Sequence, residues 1–191
     1  MTGQWMIYGA NGYTGALCAR EAARLGRRPV LAGRRAEAVA PLADELGCSW
    51  RAFPLDRAAD QVRDMDAVLH CAEAFSATAR PMIEACAATQ THYCDVTGEI
   101  DVFEFVHGHG ARWRAAGIVA LPGAGFDVVP SDCLAAMLKA ALPDADTLSL
   151  AFRSIEGRLS PGTTKTMIEG MGAGLKVRRN GRIVAEPAGR T

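Results

Sequence analysis

Lysine is nearly missing from this chain: of its 21 cationic side chains only 3 are lysines and 18 are arginines. They are matched by 21 acidic residues, and neither sign gathers into a block. The composition therefore offers nothing to a nucleic-acid backbone or an anionic membrane. No apolar run approaches the roughly 18 residues of a spanning helix. The start, Met-Thr-Gly-Gln-Trp, has no charged segment leading into an apolar one, so a cytoplasmic protein is expected. Six cysteines (18, 48, 71, 86, 94 and 133) form no Cys-x-x-Cys pair and mostly sit in apolar surroundings such as Leu69-His-Cys-Ala72, which points to free thiols. Several catalytic signatures are also missing. Tyr8, Tyr13 and Tyr93 are followed four residues on by Gly12, Leu17 and Thr97, so the Tyr-x-x-x-Lys pair of short-chain dehydrogenases is absent. No Walker lysine or Gly-x-Ser-x-Gly elbow occurs. His107-Gly-His109 has no cysteine or carboxylate at ligand spacing, and no metal is expected.

What the chain does have is concentrated in residues 5–35. Trp-Met-Ile-Tyr is followed by Gly9-Ala-Asn-Gly12-Tyr-Thr-Gly15, a helical stretch, and then Val30-Leu-Ala-Gly33-Arg34-Arg35. Strand, glycine turn, helix and second strand form the unit that holds a dinucleotide. Gly9 suits the tight turn, Gly12 the approach of the pyrophosphate, and Gly15 the packing of helix on sheet. Ala10 and Tyr13 complete the loop. Asn11 and Thr14 add short polar groups that can bond phosphate or brace the turn. The helix start then offers free N–H groups and a positive dipole end.

The second strand ends on Gly33 where an NAD site would carry an acid for the ribose 2′-OH, about 20 residues beyond the glycines. The next residues are Arg34 and Arg35, and the first acid is Glu37. A guanidinium grips a phosphate bidentately and stacks on adenine. NADP is therefore the expected cofactor in preference to NAD, with Arg34 first and Arg35 second on the 2′-phosphate.

Strands and helices alternate onward, predicting an α/β fold: a Rossmann-type, doubly wound parallel sheet. Helices are expected at Tyr13–Leu25, Ala36–Leu46, Ala77–Thr89 and Pro130–Leu142, with a glycine-weakened one over Ile100–Ala116. Strands are expected at Ser49–Leu55, Ala67–Cys71, His92–Val96 and Ile118–Leu121. After Pro143 the pattern changes. Thr147–Ile155 alternates apolar and polar, Gly162–Leu175 suits a helix, and Lys176–Val184 a hairpin turning at Asn180-Gly181. Residues 1–143 are expected to form an NAD(P)-binding Rossmann domain and 144–191 the incomplete beginning of a second domain with an antiparallel sheet. That segment is too short for a substantial core, and its strand edges suit a homodimer through the C-terminal sheet.

Ligands of such sheets bind beyond the strands' carboxyl ends. Asp56 follows the third strand and Cys71-Ala72 ends the fourth; both join the expected cofactor-binding set. Near the nicotinamide lie the loops Ala72–Ser76, Thr97–Glu99 and Pro122–Asp127. There Glu99, Asp127 and Asp132 are candidates for the proton transfer that accompanies hydride addition to C=N, C=O or C=C. Glu99 and Asp132 equally suit helix starts.

Taken together, Tyr8-Gly-Ala-Asn-Gly-Tyr-Thr-Gly15, Leu31-Ala-Gly-Arg34, Leu69-His-Cys-Ala72, Tyr93-Cys-Asp-Val-Thr-Gly-Glu99 and Gly125-Phe-Asp-Val-Val-Pro-Ser-Asp132 resemble the saccharopine dehydrogenase-like oxidoreductases, which include trans-acting enoyl reductases. The resemblance implies an NADP-binding Rossmann domain, a following α/β domain over the substrate cleft, and hydride transfer involving a small substrate. It also implies that the chain is an N-terminal portion, since members are typically much longer. Glu73-Ala74 departs from the Gly-Pro usual in the family. A non-catalytic NADP-binding module or trans-acting subunit is the alternative. If Gly12 faces the pyrophosphate, Gly12→Val should abolish binding of NADPH and NADH while circular dichroism shows a folded chain; tight binding by that variant would place the dinucleotide elsewhere.

Overall fold

Successive side chains of a strand point to opposite faces, so a strand that is apolar at every position needs cover on both sides. The computed structural model, which describes residues 3–151, 153, 174–180 and 182–187, provides that cover. Strands β1 (Trp5–Tyr8), β2 (Val30–Gly33), β3 (Trp50–Ala52), β4 (Ala67–His70), β5 (His92–Asp95) and β6 (Ala120–Leu121) form one parallel sheet in the order β3-β2-β1-β4-β5-β6. Ile7, Leu31 and Cys71 face one side, where helices α1 (Tyr13–Arg24) and α2 (Ala36–Leu46) bury Ala19, Val39, Leu42 and Ala43 against them. Met6, Tyr8, Val30 and Val68 face the other. There α3 (Ala58–Val62), α4 (Phe75–Thr89), α5 (Ile100–Gly108) and α6 (Gly110–Ala115) contribute Val62, Met82, Ile83, Val102 and Trp113.

The chain divides into two compact units, Met1–Phe152 and Arg153–Thr191. The second contains an antiparallel hairpin of β7 (Leu175–Arg179) and β8 (Arg182–Glu186), with Asn180 at φ +51° in its turn, as the Asn-Gly pair predicts. The helix expected over Gly162–Leu175 lies mostly outside the described residues, and Leu175 itself begins β7.

Several boundaries differ from expectation for identifiable reasons. β3 pairs only over Trp50–Ala52 because Pro54 brings no N–H and Leu55–Arg57 coil into a 3-10 turn. The stretch 100–116 breaks at His109, between Gly108 and Gly110. α7 (Val129–Ala141) forms, but none of its residues is buried, so it does not close the core. It follows a two-residue edge strand that offers little sheet surface. Residues 147–151, expected to begin a strand, pair with nothing among the described residues, and 152, 154 and 155 lie outside them. Of the six thiols, Cys71 and Cys86 are buried, whereas Cys133 is exposed on α7.

On β4 an imidazole replaces an apolar side chain. His70 is fully buried, with ring centroids of Tyr8 and Phe75 both 5.6 Å away. Its Nε2 lies 3.0 Å from Thr78 Oγ1, whose own proton has Ala72 O as its nearest acceptor at 2.5 Å. Nε2–H therefore donates to Thr78, and Nδ1 is left buried without a partner. Burial holds this ring's pKa down to about 3. The native state keeps it neutral, while the unfolded chain protonates it near 6.5. Its contribution to stability is complete above pH ~6.5 and is lost as pH falls from there toward 3. Urea unfolding between pH 7 and 4 should show a steeper loss in the native sequence than in His70→Asn; equal slopes would refute the assignment.

Candidate dinucleotide site

The order of the strands reverses between β1 and β4, the switch point at which open α/β sheets carry a ligand crevice beyond their carboxyl ends. Gly9 makes the turn out of β1 at φ +83°, where a β-carbon would lie 2.7 Å from Ala72 N and 2.8 Å from the Cys71 carbonyl carbon. Only glycine permits both that conformation and that approach. Gly9 N and Ala10 N donate to Ala32 O at 2.8 and 3.0 Å, fixing the turn to β2 as well. A β-carbon on Gly15 would stand 2.9 Å from Ala10 Cα, so α1 packs directly on the loop. Gly12 differs in degree: the nearest neighbour of a β-carbon there would be Gly9 O at 3.2 Å, tighter than an ordinary contact but less close than at Gly9 or Gly15. Cys71 is buried and donates its N–H to Tyr8 O at 2.7 Å; its backbone, with that of Ala72, meets Gly9.

α1 starts after Gly12 with no side-chain cap and no acid in its first turn. The start of α4 is the opposite case. Phe75 N and Ser76 N donate to the Glu99 carboxylate at 3.0 and 2.7 Å. One helix end is left open to an anion and the other is already filled by one.

Asn11, exposed at the loop's crest, reaches toward Gly33 at the end of β2. Arg34 and Arg35 follow, both exposed. Arg34 makes no ion pair or hydrogen bond among the described residues, and Arg35 Nε lies 3.6 Å from Glu37 Oε1. Other arginines are committed to carboxylates: Arg24 to Glu21, Arg51 to Asp64 and Arg63 to Asp60. Asp56 lies exposed in the 3-10 turn after β3. Burial raises the pKa of the Tyr8 phenol, the Arg34 charge lowers it and the Asp56 charge raises it, so both charges are felt at the carboxyl end of β1. Tyr13 is exposed and Thr14 half-buried on the first turn of α1.

At the other end of the crevice Glu99, Asp127 and Glu73 approach one another. The Glu73 carboxyl is pushed up by desolvation and by the charges of Glu99 and Asp127. Asp127 is exposed and sits 3.7 Å (Cβ) from where a Gly98 β-carbon would be. Asp132 is exposed in the first turn of α7. The fully buried carboxylate here is Asp95, at the end of β5. Its Oδ1 accepts from Thr97 N at 3.0 Å and Gly123 N at 2.7 Å, and its Oδ2 from the Tyr93 hydroxyl at 2.7 Å. Its carbonyl accepts from Ala124 N at 2.7 Å. Among the described residues no His/Cys/Asp/Glu group has the makings of a metal site, and no helix is long and apolar enough to cross a membrane.

Residues 5–121 match the family described as the saccharopine dehydrogenase NADP binding domain. The chain belongs to that family. A trans-acting enoyl reductase of Mycobacterium bovis is 30% identical over 203 residues, covering 95% of this chain and 48% of that protein. One from Mycobacterium leprae is 33% identical over 138 residues, covering 66% of this chain and 33% of that protein. The chain thus spans less than half the length of these curated relatives. Apo saccharopine dehydrogenase (L-Glu forming) from Saccharomyces cerevisiae superposes with a TM-score of 0.64 at 14% identity, over 74% of this chain and 31% of that one, and shares the fold.

Within this NADP binding domain Asp95 is the residue that sequence reasoning missed. The signal was a carboxylate two residues before Thr97, the spacing at which an Asp side chain accepts the backbone N–H of the residue two positions on. Asp95→Ala would strand two N–H groups and a buried hydroxyl, costing more than about 2 kcal/mol in urea unfolding at roughly 1–3 kcal/mol per unsatisfied group. Asp95→Asn, which keeps an acceptor oxygen, should cost less. Because desolvation raises the Asp95 pKa, its contribution is greatest at low pH and is lost as pH rises through the native value. The native sequence should therefore lose stability relative to Asp95→Asn as pH rises from about 4; equal losses in both variants at every pH would refute this.

Proposed function

We propose that the chain binds NADP in the crevice between β1 and β4 and serves a hydride-transferring oxidoreductase whose substrate is a small imine, carbonyl or enoyl compound. The observation that carries this reading is the uncapped start of α1 above a turn in which Gly9 and Gly15 admit no β-carbon while Gly12 nearly does. A β-carbon at Gly12 would meet only Gly9 O closely, and the bare position also leaves room for an incoming pyrophosphate. Gly9 to Gly15 would hold the diphosphate, Arg34 and then Arg35 the 2′-phosphate, and Asp56 the edge of the adenosine side. The backbone of Cys71 and Ala72 would lie along the nicotinamide half. NADP, when bound, supplies or accepts the hydride. Of the three carboxylates expected to move protons, Asp127 and Asp132 are exposed and available, whereas Glu99 already accepts two N–H bonds and is better suited to fixing the start of α4.

A second reading is favoured by that same engagement of Glu99 together with the desolvated Glu73 beside it. In that reading the domain holds NADP without turning over a substrate of its own, as a module or trans-acting subunit. Turnover of NADPH with a panel of imines, enoyl thioesters and aldehydes separates the two. The cofactor assignment has its own test. Arg34→Ala should weaken NADPH by about 1.5–3 kcal/mol, the scale of a charge-assisted hydrogen bond, and leave NADH nearly unchanged. Equal losses for both cofactors in a fluorescence titration would remove Arg34 from the 2′-phosphate.

A further inference from the structure

β2 ends on a glycine that two neighbours keep bare. A β-carbon at Gly33 would stand 2.8 Å from Val39 Cγ2 and 2.9 Å from Asn11 Oδ1. The two contacts are unequal. Val39 is fully buried early in α2, packed with Ile7, Leu31, Leu42 and Ala43, and its branched side chain has essentially one rotamer in a helix. It cannot retreat without opening or overfilling the core. The Asn11 amide is the far end of an exposed side chain and can swing aside.

We infer that Val39 and Asn11 together decide which dinucleotide this site accepts: Val39 keeps a ribose-binding acid out of position 33, and Asn11 takes over as the contact on the ribose side, next to Arg34. The inference rests on the NADP reading above and assigns to Asn11 a place beside the 2′-phosphate instead of the diphosphate. The chemistry fits the placement. A carboxylate at the end of β2 accepts hydrogen bonds from a 2′-OH and repels a 2′-phosphate; an amide is uncharged and can donate through its NH₂. Its O and N exchange by a half-turn of the exposed side chain. Arg34 supplies the charge, and Asn11 a donor that a 2′-phosphate uses better than a 2′-OH. One consequence is particular to this chain. Placing an acid at the end of β2, the obvious way to favour NADH, fails here unless the core beneath is cut back as well.

Fluorescence titration of the full chain with NADPH and NADH tests both halves. Asn11→Ala should weaken NADPH by about tenfold, the effect of one lost hydrogen bond to a charged group, and NADH by less than about twofold. Gly33→Asp should lose both cofactors by about tenfold or more, because the new side chain drives into Val39. Adding Val39→Ala to Gly33→Asp should restore NADH by about tenfold without restoring NADPH. If Gly33→Asp does not fold by circular dichroism, recovery of a folded chain on adding Val39→Ala reports the same steric wall. Equal weakening of both cofactors by Asn11→Ala, or none, would overturn its ribose-side role while leaving the NADP reading intact. Gly33→Asp that gains NADH without help from Val39→Ala would overturn the wall. A native chain that binds neither dinucleotide would overturn the NADP reading itself, and this inference with it.

Discussion

The approach of Gly9 to the backbone of Cys71 and Ala72 is the constraint on which the crevice depends. A β-carbon there would sit within 3 Å of three backbone atoms, and backbone, unlike a side chain, cannot rotate out of the way. The approach is possible because β1 and β4 are adjacent, paired from Trp5 with Ala67 to Tyr8 with His70, so both chains leave the sheet at the same level. Gly9 and Ala10 are at the same time bonded to Ala32. The loop is thereby pinned between the strands on either side of it, and α1 leaves it in a fixed direction with no side-chain cap on its first N–H groups.

A second set of constraints shapes the far end. The buried carboxylate of Asp95 gathers the loops after β5 and β6, and Glu99 crosses to the start of α4. Thr78 then links Ala72, Ala74 and His70. The loop that meets Gly9 is thus continuous with the polar network inside the core. Electrostatically the two ends of the crevice are unlike. The α1 end carries no side-chain cap and has Arg34, unpaired among the described residues, beside it, and the α4 end is occupied by carboxylates.

Local patterns made much of this readable. The helix Ala36–Leu46 has the bounds its sequence predicts because Gly47, at φ +62°, ends it by conformation alone. The glycine turn was legible for the same reason: it needs only its neighbours in sequence. Asp95 and Glu99 were not, because what they do depends on Gly123 and on Phe75 and Ser76, more than 20 residues away in the chain. A carboxylate at a strand end reads as a loop residue until the fold buries it. The alternation at 147–151 misled in the converse way: period two predicts a strand, yet a strand exists only where another pairs with it. Gly33 was read for what it lacks, an acid, when its physical reason is what surrounds it.

The shortage of lysine has a consequence for how the surface responds to alkali. None precedes Lys139, so every side-chain cation in the first 138 residues, histidines aside, is a guanidinium. Ammonium groups surrender their protons near pH 10.4, whereas guanidinium keeps its own beyond 12. The bonds of Arg24 to Glu21, Arg51 to Asp64 and Arg63 to Asp60 therefore persist through a range of pH in which a lysine-bearing surface would neutralise. Across that range the positive side-chain charge of the first 138 residues stays constant.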